Sequence, residues 1–311
     1  MIEIRRYDSS MKEVWNSFIE ASKNATFLFN RNYMEYHADR FEDHSLIFLE
    51  KNKIISVIAI NKAGNNFISH QGLTYGGFLS GNGMKQVKMD RCFDAFLEYA
   101  RKAGIDEIVY KTIPHIYHRY PAEEDLHCLF KCGFKLARRD VMATLCISEL
   151  NNSLRNREQE VQRAKRNKLY VQATKDYAGY MNIVKTLTNK KFNRSPVHTA
   201  DEVIQLAGIF PDNIKLYGAF LNETMLGGIL IYETDQVAHA QYIAANEEGE
   251  QKGAIDLVID YLIHEAYQNK YYLDLGNCAE KEGIQLNDGL MAFKERCGGR
   301  AIAHDFYTLN L

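Results

Sequence analysis

Apolar and polar positions recur along the chain with two periods, and each period predicts a different kind of element. Runs rich in apolar and β-branched residues over 45–50 and 54–61 predict two strands joined by a tight turn. A helical spacing of apolar residues predicts an amphipathic helix over 87–102. The capping-box spacing of Ser10 and Glu13 predicts the start of an earlier helix.

The second half of the chain shows the same order of elements. Three consecutive runs, 215–221, 225–233 and 238–244, predict a meander of strands. They follow a helix whose start is marked by a second capping-box pair, Thr199 and Glu202.

The element order predicts a duplicated domain. In each half the strands lead through a glycine-containing stretch, here 246–252, into a long helix, here 253–267, and then into a further strand. We therefore predict an α/β (α+β) protein with two domains of one type, residues 1–150 and 151–311.

Composition excludes several classes of protein. The 311 residues are 46% hydrophobic and 25% charged, which is typical of a globular chain and not of a disordered one. A formal charge of -2 provides no global basic field, so DNA is not an expected partner. No apolar run approaches the roughly 18 residues of a membrane span, and the N-terminus lacks the apolar stretch of a secretory signal. Six scattered cysteines fit free thiols, so we expect a cytoplasmic protein.

One segment has the pattern of a phosphate site. A glycine-containing stretch that opens a helix presents unpaired backbone N–H groups at the positive end of the helix dipole. The residues that would hold donor phosphates are Gly249, Gln251, Lys252, Gly253 and Ala254. The alternative is a solvated turn before a helix.

Short motifs, taken in order, resemble a known family. They are Tyr75-Gly76-Gly77, Arg163-Ala164-Lys165, Gln241-Tyr242, Leu273-Asp274-Leu275-Gly276 and Leu290-Met291-Ala292-Phe293-Lys294. With the duplicated layout they resemble the tandem GNAT-fold acyltransferases, as in FemABX-like peptidyltransferases and their acetyltransferase relatives. The resemblance covers nearly the whole chain, although the stretch from Gly249 does not follow the GNAT phosphate-loop spacing strictly.

The resemblance implies a fold and an activity. Each domain would be a GNAT-like mixed, mainly antiparallel sheet flanked by helices. The first would carry a degenerate donor site and shape the acceptor cleft, and the second would bind the donor and catalyse. An acyl or aminoacyl group would pass from acyl-CoA or aminoacyl-tRNA to an amine, small or peptidoglycan-precursor-like, by direct attack in a ternary complex. The alternative is a non-catalytic GNAT-fold protein that binds a metabolite or partner.

The resemblance also singles out catalytic residues. Phe293 and Lys294 match a Phe-Lys pair near the transfer centre, where a fixed cation would stabilise the oxyanion of the tetrahedral intermediate. The alternative for Lys294 is a surface lysine. An amine acceptor must lose a proton, and the candidate bases are Asp274, which an apolar strand surrounds, and His239. Asp274 could equally be a structural acid.

The remaining candidates would contact substrate. They are Tyr75, Arg163, Gln241, Tyr242 and Asn287, although Tyr242 could instead be a core residue. No metal is expected, because the cluster of histidines and cysteines over 115–132 lacks the spacing of a compact zinc site.

Overall fold

The chain folds into two compact units. The computed structural model describes residues 2–149, 155–193 and 195–311, without the side chains at 155–157, 191 and 192. The first unit comprises residues 1–140, 281–285 and 303–311, and the second comprises 141–280 and 286–302. These bounds differ from the predicted 1–150 and 151–311, because the end of the chain pairs with a strand of the first unit. The predicted junction near Asn151 lies outside the described residues.

The first unit contains four α-helices and a set of strands among its described residues, to which residues 303–310 of the chain's last strand also belong. The strands are β1 (Glu3–Arg6), β2 (Glu42–Asp43), β3 (Leu46–Glu50), β4 (Lys53–Ile58), β5 (Asn61–Ala63), β6 (Asn66–Ile68), β7 (Phe78–Ser80), β8 (Glu107–Lys111) and residues 135–140 of β9 (Lys135–Cys146). The helices are α1 (Lys12–Ala21), α2 (Arg31–Met34), α3 (Gln86–Lys102) and α4 (Glu124–Lys131).

Two strand groups and one long helix build the core of this unit. The strand order is β1-β3-β4-β7 in one group and β8-β6-β5-β2 in the other, and the chain's residues 306–310 pair antiparallel with β8. Helix α3 contributes Phe93 and Phe96 to a buried cluster that includes Phe78 and Tyr110. The predicted helix over 87–102 is therefore confirmed.

The first helix begins differently from the prediction. The capping-box pair of Ser10 and Glu13 is wrong, because Asp8 caps a short 3-10 turn, Ser9–Met11, that precedes α1. The Asp8 carboxylate accepts the backbone N–H of Ser10 at 2.8 Å. The Asp8 carboxylate, two residues upstream, thus accepts the Ser10 N–H, which the Glu13 side chain would accept in a capping box.

The second unit has a main sheet against which helices pack, and a separate pair of short strands, Ala279–Glu280 and Gln285–Leu286. Its helices are α5 (Arg155–Arg166), α6 (Tyr177–Phe192), α7 (Ala200–Ile209), α8 (Glu247–Lys252), α9 (Ala254–Tyr261) and α10 (Asp288–Arg296). The strands that follow β9 are β10 (Tyr170–Thr174), β11 (Ile214–Leu221), β12 (Thr224–Glu233), β13 (Val237–Ala245), β14 (Tyr272–Asn277), β15 (Ala279–Glu280), β16 (Gln285–Leu286) and β17 (Arg300–Asn310).

The core of the second unit lies under α9. The strand order is β10-β11-β12-β13-β14, followed by residues 141–146 of β9, and only the β13–β14 pair is parallel among these. Helix α9 contributes Val258 and Ile259 to a buried cluster that includes the sheet residues Ile229 and Leu273. The predicted capping box that begins α7, at Thr199, is confirmed.

None of the helices in the described part of the chain is both long and apolar enough to cross a membrane.

Candidate functional site

The sheet of the second unit opens between β13 and β14. Within the described residues their parallel pairing covers 237–239 and 272–274 alone. Beyond it β13 stays with β12, and β14 stays with β9, to which its register shifts between Asp274 and Asn277. We call this opening the fork. Parted strands in a parallel pair form a cleft at their carboxyl ends, where ligands of open sheets bind.

Three side chains lie in one row across the closed end of the fork. His239 on β13 pairs in register with Asp274 on β14, which in turn pairs with Thr144 on β9. The imidazole Nδ1 lies 2.8 Å from Asp274 Oδ2, and the Thr144 hydroxyl donates to Asp274 Oδ1 at 3.2 Å. Asp274 is completely buried, whereas the His239 side chain is 13% exposed. The carboxylate is thus fixed from both neighbouring strands, and the imidazole reaches the surface.

Lys294 is joined to this row through one peptide segment. Its ammonium, on the buried face of α10, donates to the carbonyl oxygens of Gly276 at 3.0 Å and Asn277 at 2.9 Å. The N–H of Gly276 donates to Asp274 Oδ1 at 2.8 Å. Gly276 adopts a left-handed φ of 78°, which turns its carbonyl toward the lysine and favours glycine at this position.

The electrostatics around Lys294 pull in two directions. Burial is the largest effect and lowers the pKa of its ammonium, while Cys278 and the charge of Asp274 raise it. Burial raises the pKa of the Cys278 thiol, against the influence of Lys294. Lys294 is only 4% exposed, so it is not the surface lysine of the alternative interpretation.

A bulge shapes the β13 side of the fork. The register between β12 and β13 shifts so that Gln241 is the extra residue between Ala240 and Tyr242. Tyr242 is fixed by the imidazole Nδ1 of His198 at 2.8 Å from its hydroxyl. Its carbonyl accepts the hydroxyl of the buried Tyr180 at 2.9 Å. Both the side chain and the carbonyl of Tyr242 are therefore held in place on β13.

The predicted phosphate loop is helical. Gly249, Gln251 and Lys252 lie in α8, and the N–H of Gly249 is taken by the Asn246 side chain at 2.8 Å. Gly253 links α8 to α9 with a φ of 79°. The open loop before a helix was therefore a wrong expectation, because an asparagine cap extends helical structure through the stretch.

Helix α8 places negative charge where the phosphate site was expected. Three glutamates, Glu247, Glu248 and Glu250, occupy the first turn of α8, where they would repel a phosphate. The start of α9, at Gly253 and Ala254, carries Lys252 just before it. The first turn of α9 contains one acidic residue, Asp256, against three in α8, so it is the less acidic of the two helix starts.

Other predicted residues lie at separate places in the second unit. Arg163 on α5 forms an ion pair with Glu160 on the same helix. Asn287 caps α10 by accepting the N–H of Leu290 at 2.9 Å, and Phe293 packs partly buried against the core. Thus Asn287 and Phe293 belong to the helix that carries Lys294.

Tyr75 lies in the interior of the first unit. Its side chain is 2% exposed, its ring lies 4.6 Å from that of Tyr117, and its hydroxyl lies 3.0 Å from that of Thr26. Tyr75 is therefore a core residue and not the cleft wall that was expected from the sequence.

Several residues of the site carry no signal in the sequence. Thr144 and Cys278 enter through strand register and burial, which no local motif displays. His198 was recognisable only as a residue before the α7 cap. Among the described residues no group of three or more His, Cys, Asp or Glu side chains is arranged to hold a metal ion.

Comparison with known proteins gives structural matches only. No protein-family model matches the sequence. No curated protein matches it either. The structure is similar to that of FemX, with a TM-score of 0.68, 11% identity and coverage of 99% of this chain and 97% of that one.

Two further solved structures share the fold. The C-terminal domain of a putative lysylphosphatidylglycerol synthetase from Agrobacterium fabrum has a TM-score of 0.64 at 12% identity, with 97% of this chain and 92% of that one covered. A tandem GNAT protein from the clavulanic acid biosynthesis pathway has a TM-score of 0.54 at 10% identity, with 100% and 98% covered. The chain therefore has a FemABX-like GNAT fold made of two GNAT-like domains.

Proposed function

We propose that the second unit transfers an acyl or aminoacyl group from a carrier to an amine. The observation that carries the proposal is the fork, whose closed end holds His239 and Asp274 and whose β14 side is fixed by the buried ammonium of Lys294. A proton acceptor and a fixed cation beside one cleft are the two groups that attack of an amine on a carbonyl needs. The FemABX-like GNAT fold supports the same chemistry.

The donor is proposed from the fold and from charge. FemX and a lysylphosphatidylglycerol synthetase suggest an aminoacyl carrier, aminoacyl-tRNA, and the tandem GNAT protein suggests acyl-CoA. In either case we place the donor phosphate at Lys252, Gly253 and Ala254, because the acidic first turn of α8 disfavours the preceding stretch.

The acceptor would lie along β13. The bulge at Gln241 and the fixed ring of Tyr242 form that wall, with Asn287 at the start of α10 and Arg163 on α5 as further candidates. The acceptor class is an amine, either a small molecule or a peptidoglycan-precursor-like compound. Tyr75 is retained only as a residue that supports the first unit.

The reaction would be a direct displacement. The amine nitrogen forms a bond to the donor carbonyl carbon, and the tetrahedral intermediate then expels the carrier's sulfur or oxygen. A covalent acyl-enzyme is disfavoured, because burial raises the pKa of the thiol beside Lys294, Cys278, and a protonated thiol is a poor nucleophile. Lys294 would place positive charge where the oxyanion develops, next to the carbonyls that it holds at Gly276 and Asn277.

The test is a transfer assay with two labelled donors. Acetyl-CoA and a mixture of aminoacyl-tRNAs would each be incubated with the protein and a low-molecular-mass extract rich in amines, and labelled amides would be detected by mass spectrometry. Product from one donor is expected, with a loss of about 10²-fold or more in Lys294→Met. Lys102→Met, on the exposed face of α3, is the control. Product formation unchanged in Lys294→Met would remove Lys294 from the reaction.

The non-catalytic alternative has a distinct outcome. If calorimetry detects binding of either donor and no extract yields product, the protein is a non-catalytic binding protein. Lys252→Glu is the donor-site variant, because a side chain at Gly253 would meet the Glu160 carbonyl at 2.9 Å and disturb the fold. Lys102→Glu serves as its control.

A further inference from the structure

We infer that His239 is the general base of the second unit and that Asp274 is its positioning residue. The inference rests on the proposed function, which leaves open how the amine loses its proton. Sequence alone presents these two residues as competing candidates. The structure instead makes them one pair, in which the carboxylate is enclosed and the imidazole reaches solvent.

Strand register produces this arrangement. His239, Asp274 and Thr144 occupy directly opposed positions on β13, β14 and β9, so their side chains project from one face of the sheet. The His239–Asp274 rung is also the last rung of the parallel pairing within the described residues. The dyad therefore stands where the fork begins, which is where a substrate entering between the strands would meet it.

Hydrogen bonding assigns the roles. Asp274 accepts the Thr144 hydroxyl and the Gly276 N–H on Oδ1, and faces His239 Nδ1 through Oδ2. An ionised carboxylate can only accept, so the imidazole Nδ1 must carry the proton in this contact. In the neutral ring the lone pair then belongs to Nε2, which is the nitrogen able to accept a proton from an amine.

Burial separates the two groups further. Asp274 is fully buried, and a proton delivered to it would have to pass donors that include Thr144, Gly276 and His239. Lys294 faces the pair from α10, and the Asp274 charge raises the pKa of its ammonium. From β12, Tyr232 pairs with His239 across the ladder. The Asp274 carboxylate thus lies beside Lys294 and His239, the two side chains that would carry positive charge during the reaction.

The imidazole both takes up and returns the proton. As the acceptor nitrogen bonds to the donor carbonyl carbon, its N–H proton moves to His239 Nε2, and the imidazolium is stabilised by Asp274. Collapse of the intermediate breaks the bond to the carrier, and the imidazolium returns the proton to the departing sulfur or oxygen. The ring ends neutral, ready for another cycle.

The first test needs no substrate. Long-range 15N–1H correlation spectra of the protein labelled in histidine nitrogens report which ring nitrogen carries the proton, with His239→Gln used to assign the signal. We expect the neutral ring to carry its proton on Nδ1 and its lone pair on Nε2, and Asp274→Asn is expected to alter this tautomer. The opposite tautomer in the unaltered protein would overturn the inference, whether or not any turnover is found.

The second test uses the donor that gives product in the transfer assay. His239→Gly is expected to lose about 10²- to 10⁴-fold in rate, the usual contribution of a general base, and to regain part of it with added imidazole. Imidazole would not rescue a merely structural role. The matched control is His264→Gly, which removes an exposed histidine from another His–Asp pair, with Asp260 at 3.2 Å. A full rate in His239→Gly, or a loss that imidazole leaves unchanged, would overturn the inference.

Absence of product with every donor would instead count against the proposed function, and the tautomer result would still decide the pairing. Folding of each variant is checked by circular dichroism. Asp274→Asn, which keeps the shape of the side chain, covers the case in which His239→Gly fails to fold.

Discussion

Two buried lysines, one in each unit, show how similar side chains acquire different roles. Lys111 in the first unit donates its ammonium protons to the carbonyls of His70 and Leu73. Lys294 in the second donates to the carbonyls of Gly276 and Asn277. Burial lowers the pKa of both. The local contacts of the two ammonium groups are therefore nearly the same.

Their electrostatic surroundings differ. Burial lowers the pKa of Lys111 to about 7, and the charge of Arg138 acts in the same direction. Lys294 has Asp274 and Cys278 beside it, which raise its pKa again. Burial alone therefore does not mark a site. Lys294, which has a carboxylate and an open cleft nearby, is suited to chemistry. Lys111, which holds the carbonyls of a loop, is structural.

The first unit also contains buried histidines, and their surroundings differ from those of His239 in the fork of the second unit. Burial lowers the pKa of His70 to about 3, and of His118 and His304 to about 4. In the unfolded chain these groups take up protons below about pH 6.5. Unfolding therefore binds protons between about pH 6.5 and 4, and the stability of the first unit must fall as the pH falls through this range.

This pH dependence is the largest effect that we expect, up to about 4 kcal/mol per pH unit if all three histidines act. Below about pH 6 the buried Asp125, whose pKa burial raises to about 6, offsets about one histidine's share. The chain's only tryptophan, Trp15, is fully buried in the first unit, so its fluorescence follows that unit during denaturant titrations. His118→Gln should reduce the slope by about a third. A free energy of unfolding that is flat from about pH 6.5 to 4.5 would contradict the neutral state of these rings.

Lys111 gives a smaller effect of defined sign. Its folded pKa of about 7 lies below the value of about 10.4 in the unfolded chain, so unfolding binds one proton between the two. The stability that this group contributes thus rises from about pH 7 upward, by at most about 1.4 kcal/mol per pH unit.

The measurement is the difference between the unaltered protein and Lys111→Met, because thiols also titrate in this range. Trp15 fluorescence in denaturant is recorded from about pH 7 to 9.5. As the pH rises, the free energy of unfolding should increase more in the unaltered protein than in the variant. A constant difference would mean that Lys111 keeps its ordinary pKa, and the contrast with Lys294 would then lose its electrostatic basis.

Gly276→Ala tests the geometry on the Lys294 side. A Cβ there would lie 3.7 Å from His239 Cε1, so space is available, but the left-handed φ disfavours any other residue by about 1–2 kcal/mol. We expect that loss of stability by calorimetry, together with slower transfer. Gly289→Ala on α10, where the added Cβ meets only Asn287 Oδ1 at 3.8 Å, is the control. Unchanged stability in Gly276→Ala would show that the Gly276 carbonyl need not be turned to Lys294.

Sequence patterns anticipated the fold better than the site. Periodicity placed α3 and a Thr capping box placed α7, because amphipathic spacing and a capping box act locally. The helix from Glu247 was missed, because an Asn cap on a glycine-containing stretch looks like a turn. His239 and Asp274 were both named, but their pairing depends on the register of two distant strands, which no local pattern encodes.

The most direct test of the transfer site in the second unit is hydrogen–deuterium exchange of the full chain with and without donor, acetyl-CoA and aminoacyl-tRNA in turn. We predict that a bound donor slows exchange in peptides covering 237–245, 252–256 and 272–280, the two sides of the fork and the start of α9. Peptides covering 69–75 and 107–112, around Lys111, should exchange unchanged. Protection around Lys111 with none at the fork would contradict the claim that the second unit holds the transfer site.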